Sequence, residues 1–417
     1  MLRSFKEDLK LLSRYTQLFP LCFAVFVSML GFGLVMPLLP IYASDLGATG
    51  IQLGLLTGSF AITRTITTFL GGWLADKVGR KTPVIVGLLA YSVVMTLYGF
   101  SQDVNQLILL RGLQGLASGI VWPVISVMVA DIALPEDRSK AMGLYEMMLF
   151  LGRVVGPGLG GVLSDVFTQA VPFFFCGMLA FLSMILVAFS VQETFKNDEI
   201  IERRQKDSKH TPKPNFGTSA NGSFFHKMTP YPRTFLGLCV AVLIVSFSSS
   251  LIQPVLSVFA EEKLGISVAG VGVLFSVMGA VMLVTALPIG TVADRAGRKP
   301  VFILGKIVDA ISVILIILSG GFWPLLFVMM LRGFGRAASN PSITALFSSL
   351  VPASHRGKGM GVFNVFRNIG LVVGSTIGGF MWDVSSTESP FIACAIITMV
   401  GVIIALLTVS EPKKGFE

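Results

Sequence analysis

Charge is scarce in this chain of 417 residues: Asp, Glu, Lys and Arg together make up 13%, against 53% apolar residues. A soluble chain holds about 25% charged residues, so a water-solvated globule is excluded and the bilayer must be the solvent. Histidine and cysteine are also few, at three and four. His210, His226 and His355 stand in polar stretches without ligand-like neighbours, and Cys22, Cys176, Cys239 and Cys394 all fall inside apolar runs. Disulfides and metal clusters are therefore not expected, and neither is a cofactor. No Walker-type phosphate loop is present, which leaves direct ATP drive unsupported. No nucleophile–base pair or metal constellation argues for an enzyme. The period-two alternation that a membrane barrel needs is missing, and so is a small-residue cleavage site after the first apolar run.

What remains is helix. Crossing about 30 Å of hydrocarbon takes about 20 apolar residues, and twelve segments supply them, near 17–43, 51–75, 82–101, 104–131, 140–165, 171–191, 233–260, 268–293, 300–318, 322–350, 357–383 and 389–410. The fold class expected is an all-α membrane protein, with twelve transmembrane helices in two pseudo-symmetric six-helix bundles around a central cavity. The chain divides into an N-terminal segment 1–16, a bundle 17–191, a linker 192–232, a bundle 233–410 and a tail 411–417. The linker is the one long polar stretch and carries Pro212, Pro214, Pro230 and Pro232, which reads as a tether. Residues 1–15 space Leu2, Phe5, Leu9 and Leu12 among bases; an interfacial helix and a solvated tail both fit.

Acids and bases sort to opposite sides. Asp45, Asp103, Asp165, Glu261, Glu262, Asp383 and Glu388 fall between helices on one side, where Lys263 is the one base. Arg14, Lys77, Arg80, Lys81, Arg138, Arg295, Arg298, Lys299 and Arg356 fall on the other. The positive-inside rule makes that second side cytoplasmic, with both termini, in a multi-pass protein of the cell membrane. The net charge of +9 is then a topology signal, and nucleic acid is not expected as a partner.

The halves are copies. Gly72 to Lys81, GWLADKVGRK, returns as Gly290 to Lys299, GTVADRAGRK, at an offset of 218 positions. Gly143, Gly152, Gly156, Gly160 and Gly161 map by that offset onto Gly361, Gly370, Gly374, Gly378 and Gly379, as Pro123 maps onto Pro341. Six helices return each half to the same face, so the copies run parallel about an axis along the membrane normal.

These motifs resemble the major facilitator superfamily, in its drug:proton antiporter-like branch, over essentially the whole chain. Gly72 to Lys81 is similar to that family's loop 2–3 signature, Leu110 to Gly115 to its helix-four motif, and Gly152 to Gly161 to its helix-five antiporter motif. The resemblance implies that Arg111 serves proton coupling. It also implies that Gly152, Gly156, Pro157, Gly160 and Gly161 lie at the interface between halves. One departure stands out: the family's proton-coupled multidrug exporters often carry an acid in helix one, and residues 17–43 hold none.

A gate is expected at the signature loops, from Gly72, Asp76, Gly79, Arg80 and Asp131 in the first copy and Asp294 and Arg298 in the second. Asp76 and Arg80 are one helical turn apart, and Asp76 can also meet the positive N-terminus of helix eleven near Gly357. Ser349 stands opposite Asp131, which makes the first latch the stronger. Within the helices, Arg64, Arg111, Arg153, Lys306, Arg332, Arg336 and Arg367 face just two acids, Glu146 and Asp309. Each such charge costs about 3 kcal/mol or more in mid-bilayer unless paired or hydrated, so these side chains should turn inward. Lys306 and Asp309 are expected to pair. Arg64, Arg153, Arg367, Arg332 and Arg336 are the candidate substrate-cavity bases, and Glu146 with Arg111 the candidate proton-coupling pair. Glu146 and Arg153, seven apart, share a helix face.

The function expected is a secondary active transporter working by alternating access, in the form of proton-coupled efflux of small amphiphilic molecules. Its partners would be a small molecule, anionic or zwitterionic by the sign of the buried charge, protons and the lipid bilayer, with the protein a monomer. An organic-anion carrier, a lipid flippase and a non-transporting membrane sensor remain open beside it.

Overall fold

The longest helices run to 29 residues, about 43 Å at 1.5 Å per residue, so they overshoot the hydrocarbon and carry their end charges into the interfaces. The computed structural model describes residues 11–194, 232–351 and 356–409. It contains α1 (Leu18–Asp45), α2 (Gly50–Val78), α3 (Lys81–Tyr98), α4 (Val104–Ile132), α5 (Arg138–Val166) and α6 (Val171–Ser190). The second half follows with α7 (Pro232–Leu251), α8 (Val268–Ala296), α9 (Arg298–Ile317), α10 (Phe322–Leu350), α11 (Arg356–Val384) and α12 (Ser389–Thr408). No strand occurs among the described residues. Eleven of the twelve helices are long and apolar enough to cross a membrane; α10 is the exception, because Arg332, Arg336 and Asn340 interrupt it. Residues 1–10 of the expected N-terminal segment and most of the linker fall outside the described residues; residues 11–14 are helical, and Arg14 pairs with Asp137 at 2.9 Å.

The predicted and observed helices agree closely except at the seventh, which was expected to be continuous over 233–260. The helix stops at Leu251 and resumes at Leu256–Val258 before a short π-helical turn, Phe259–Lys263. Pro254 is the reason: it has no N–H to donate, and its ring clashes with the carbonyl one turn back. Pro37 and Pro40 leave α1 unbroken.

Packing repeats with the sequence. Helix α1 packs on α5 and α6, α2 on α4, and α3 on α4 and α6; in the second half α7 packs on α11 and α12, α8 on α10, and α9 on α10 and α12. The halves meet through two crossed pairs, α5 with α8 and α2 with α11. Both crossings are tight at one face of the bundle. A Cβ on Gly161 would stand 2.7 Å from the Val268 carbonyl, and one on Gly379 would collide with the Gly50 carbonyl. There Asp383 accepts from the backbone N–H groups of Gly50 (2.6 Å) and Ile51 (3.0 Å), Asp165 accepts from that of Ala269 (3.0 Å), and Ser44 donates to Glu262 (2.7 Å). Asp165 and Asp383 are symmetry mates, as are Ile51 and Ala269, so each half caps a helix N-terminus of the other with a carboxylate.

At the opposite face, where α1 begins and α6 and α12 end, the halves part. A Cβ on Gly72, Gly143, Gly290 or Gly361, two symmetry-related pairs, would meet nothing within 4 Å. Among the described residues, contacts thus join the halves at the distal face, while the space between them widens toward Gly361 on the terminal side.

Candidate functional site

Between the halves lies a cavity of about 430 Å³. Helix α2 contributes Thr57, Phe60, Arg64 and Thr65; α1 contributes Phe32, α4 Arg111, the break in α7 Gln253, and α11 Asn364, Arg367 and Asn368. Among the described residues, three arginines line it and no carboxylate does. Arg111 is 5% exposed and has no acidic partner among them. Its guanidinium donates to Gln114 Oε1 at 2.5 Å, which also accepts from Tyr98 (3.1 Å), and stacks 4.4 Å from the Phe60 ring. Neutral acceptors and ring faces hold this cation, so its charge is not cancelled. The spacing of Arg111 and Gln114 within Leu110 to Gly115 is thus what the helix-four motif provides.

Arg64 lies 4.3 Å over the Trp122 ring, and Arg153 5.5 Å over that of Phe32. Of the candidate cavity bases, Arg64 from one half and Arg367 from the other line this cavity, and Arg153 flanks it through Phe32; Arg111, expected in proton coupling, lines it as well.

Two of the candidate cavity bases are not there. Arg332 and Arg336 turn away to Asp309 on α9, at 3.4 and 3.7 Å, where Lys306 joins them at 3.4 Å. Positions 332 and 336 share the face of α10 that packs on α9 rather than the face toward the cavity. The expected Lys306–Asp309 pair is present, enlarged to four residues. Glu146 is exposed and lies outside the cavity lining; although it shares a face with Arg153, no ion pair joins them among the described residues.

The helix-five glycines divide between two neighbours. Gly152, Gly156 and Gly160, spaced by four, face Phe26, Leu30 and Leu34 of α1 inside their own half. Only Pro157 and Gly161 meet α8, at Gly272 and Val268, with the Gly158 N–H donating to Ser276 at 2.8 Å. The expectation of one five-residue interface is corrected accordingly. A four-residue spacing makes one stripe, and the stripe one residue round the helix serves the partner half.

At the signature loops, Arg80 pairs with Asp131, and partial burial lowers its pKa against the raising influence of Asp76 and Glu193. Glu193 was not foreseen. It accepts from the backbone N–H groups of Arg80 (2.9 Å) and Lys81 (3.0 Å), which caps α3. Gly79 sits at φ +94° and Gly297 at +101°, where a side chain is disfavoured. In the second copy Asp294 stands 3.6 Å from Arg298, and Arg298 donates to the Ala345 carbonyl at 3.1 Å in place of an acid on α10. The expected meeting of Asp76 with the start of helix eleven falls on 352–358, outside the described side chains.

Sequence reasoning also missed Gln253, Asn364 and Asn368. Asn368 donates to Thr65 at 2.9 Å across the two halves. Pro254 beside Gln253, and two asparagines one turn apart flanking Arg367, were the available signals.

The family model for the Major Facilitator Superfamily matches residues 21–230 and 238–417. Among named relatives, Quinolone resistance protein NorA of Staphylococcus aureus is 27% identical over 405 residues, covering 95% of this chain and 98% of the relative. Multidrug resistance protein 2 of Bacillus subtilis is 28% identical over 393 residues, covering 94% of each. Two solved structures share the fold. One is a point mutant of the nucleoside transporter NupG, with TM-score 0.78, 13% identity and coverage of 94% of this chain and 100% of that one. The other is a bacterial homologue of the human lysosomal transporter Spinster in an inward-facing, occupied conformation, with TM-score 0.76, 14% identity and coverage of 95% and 96%. With twelve helices in two like halves, a cavity between them and a family match along nearly its whole length, the chain belongs to the Major Facilitator Superfamily and is a multi-pass membrane transporter, not an enzyme.

Proposed function

We propose that this protein is a secondary exporter of small amphiphilic molecules bearing an acidic or zwitterionic head, working as a monomer in the cell membrane by alternating access. The observation that carries the reading is the cavity wall: Arg64, Arg111 and Arg367 beside Phe32 and Phe60, with no carboxylate among the described residues. Aromatic faces take the apolar body of a ligand, and uncompensated guanidinium groups take its charge. The printed names of the relatives, quinolone and multidrug resistance, support efflux. The positive-inside rule supports a cytoplasmic terminal face, so the cavity opens toward the cytoplasm, where an exporter loads. Proton drive is assigned to Glu146 and Arg111, with gating by the two signature loops.

The test is flux in proteoliposomes with an imposed pH gradient and an internal proton reporter, comparing a carboxylate amphiphile, its methyl ester and a quaternary ammonium dye. Uphill carboxylate movement with matching proton counterflow is expected, reduced in Arg64→Gln and Arg367→Gln. Preferred movement of the dye, indifferent to both changes, would return the protein to cation export. The acid-free lining also favours a second reading, anion exchange without protons; it predicts carboxylate counterflow that survives Glu146→Gln and ignores the pH gradient.

A further inference from the structure

A second cavity, about 180 Å³, opens between α7, α9, α10 and α11. Arg367 lines both this cavity and the central one. The rest of its polar wall is Ser246, Lys306, Asn340 and Thr344, and again no acid lines it among the described residues. Lys306 is 2% exposed, and its ammonium group has one anionic neighbour among them, Asp309 at 3.4 Å. That carboxylate is shared with Arg332 and Arg336, so three cations converge on one anion and leave a charge of +2. The contacts are all 3.4 Å or longer, beyond the usual reach of a charge-assisted hydrogen bond. Arg332 Nε and Nη1 are buried without a hydrogen-bond partner among the described residues.

A surplus of positive charge inside a membrane bundle is stable only when something compensates it. Arg332, Arg336, Asn340 and Thr344 follow one another at intervals of four on α10, so a single polar stripe runs from the Asp309 cluster to the side cavity. Lys306 joins the two, since it belongs to the cluster and to the cavity wall.

Resting on the reading of the central cavity as a site for acidic amphiphiles, the geometry points to the side cavity as the subsite for the head group. A carboxylate enters past Arg367 and sits against Lys306, Asn340 and Thr344, while the apolar body stays in the central cavity against the wall that Phe32 and Phe60 form. The anion supplies the negative charge that Asp309 alone does not. Lys306 is then a ligand contact as well as a partner of Asp309.

The experiment is equilibrium binding of 2-naphthoate and of methyl 2-naphthoate to the full chain in nanodiscs, in gluconate buffer. Wild-type protein is expected to favour the acid by about tenfold, the value of one charge-assisted hydrogen bond. Lys306→Gln, which leaves Asp309 between two arginines, should abolish that preference and leave ester affinity unchanged. Thr344→Phe, which fills the side cavity and leaves all four charged residues of the cluster in place, should do the same, and it serves if Lys306→Gln does not fold. Equal binding of acid and ester by wild-type protein would overturn the central-cavity reading itself. A preference for the acid that survives both changes would leave that reading standing and refute the side cavity as the head-group seat. Replacing gluconate by chloride separates the two sources of anion: chloride binding that requires Lys306, beside naphthoate binding that does not, would assign the seat to an inorganic ion and reject the head group.

Discussion

Arg111 and Arg332 are both buried arginines on helices that line or flank the bundle axis, yet their surroundings give them different parts. Arg111 is held by Gln114 and the Phe60 ring and keeps its charge facing the cavity. Arg332 is committed to Asp309. Asp309 is consequently the one acid among the described residues holding three neighbouring cations within 4 Å of it. Asp309→Asn removes that charge while keeping the shape, and it should destabilise the fold by about 3–5 kcal/mol, the range for breaking a buried ion pair by deleting one partner. Thermal unfolding in detergent checks this. Asp309→Asn combined with Lys306→Met should recover part of the loss, because one of the orphaned cations is gone; a double variant no more stable than the single would mean that Lys306 does not share in the pairing.

At the scale of elements, helix α5 uses two adjacent stripes for two purposes. Gly156 lets α5 lie against α1, a contact inside one half, whereas Gly161 lets it lie against α8, a contact that has to break when the distal face opens. Gly156→Val should therefore lower the yield of folded protein. Gly161→Val should leave the halves folded but wedge them apart at the distal face, raising distal accessibility of a cysteine placed at Ser276, which lies on α8 beside Gly158. If the two variants behaved alike in both assays, the division of labour between the stripes would be wrong. The carboxylate caps make a second prediction. Asp165 and Asp383 each place a negative charge at a helix N-terminus of the opposite half, an arrangement worth about 0.3–1 kcal/mol each when exposed. Asp165→Asn with Asp383→Asn should shift the closed-to-open ratio of the distal face by about three- to thirtyfold. Dipolar distance measurements between spin labels at Gln102 and Gly320, symmetry mates on distal loops, would show a longer-distance population. An unchanged distance distribution would leave the caps as helix stoppers only.

For the molecule as a whole, alternating access requires the terminal face to close when the distal face opens. Gly72 and Gly361, which have open space around them here, are the places to detect it: cysteines at these positions should crosslink in the double Asn variant and not in the wild-type background. Asp76→Asn should reduce that crosslinking if the signature loop latches the closed state. The sequence by itself determined a great deal of this. A long apolar run without period-two alternation satisfies its backbone in lipid as a helix, so the number and limits of the helices followed from composition and pattern, and the 218-residue offset followed from duplication. Arg64, Arg111 and Arg367 could be assigned inward because a lone cation has nowhere else to go in a membrane. Tertiary structure decided what depended on partners far along the chain. Periodicity puts Arg332 and Arg336 on one face of α10, but only the packing of α9 against α10 decides that this face meets Asp309 rather than the cavity. The glycines of α5 are equally small, and only the positions of α1 and α8 separate those that bind within a half from those that bind between halves. Asp165 and Asp383 read as loop acids until the fold sets each at a helix start more than 100 residues away in the chain, because a hydrogen bond to a backbone N–H leaves no mark on the identity of the donor.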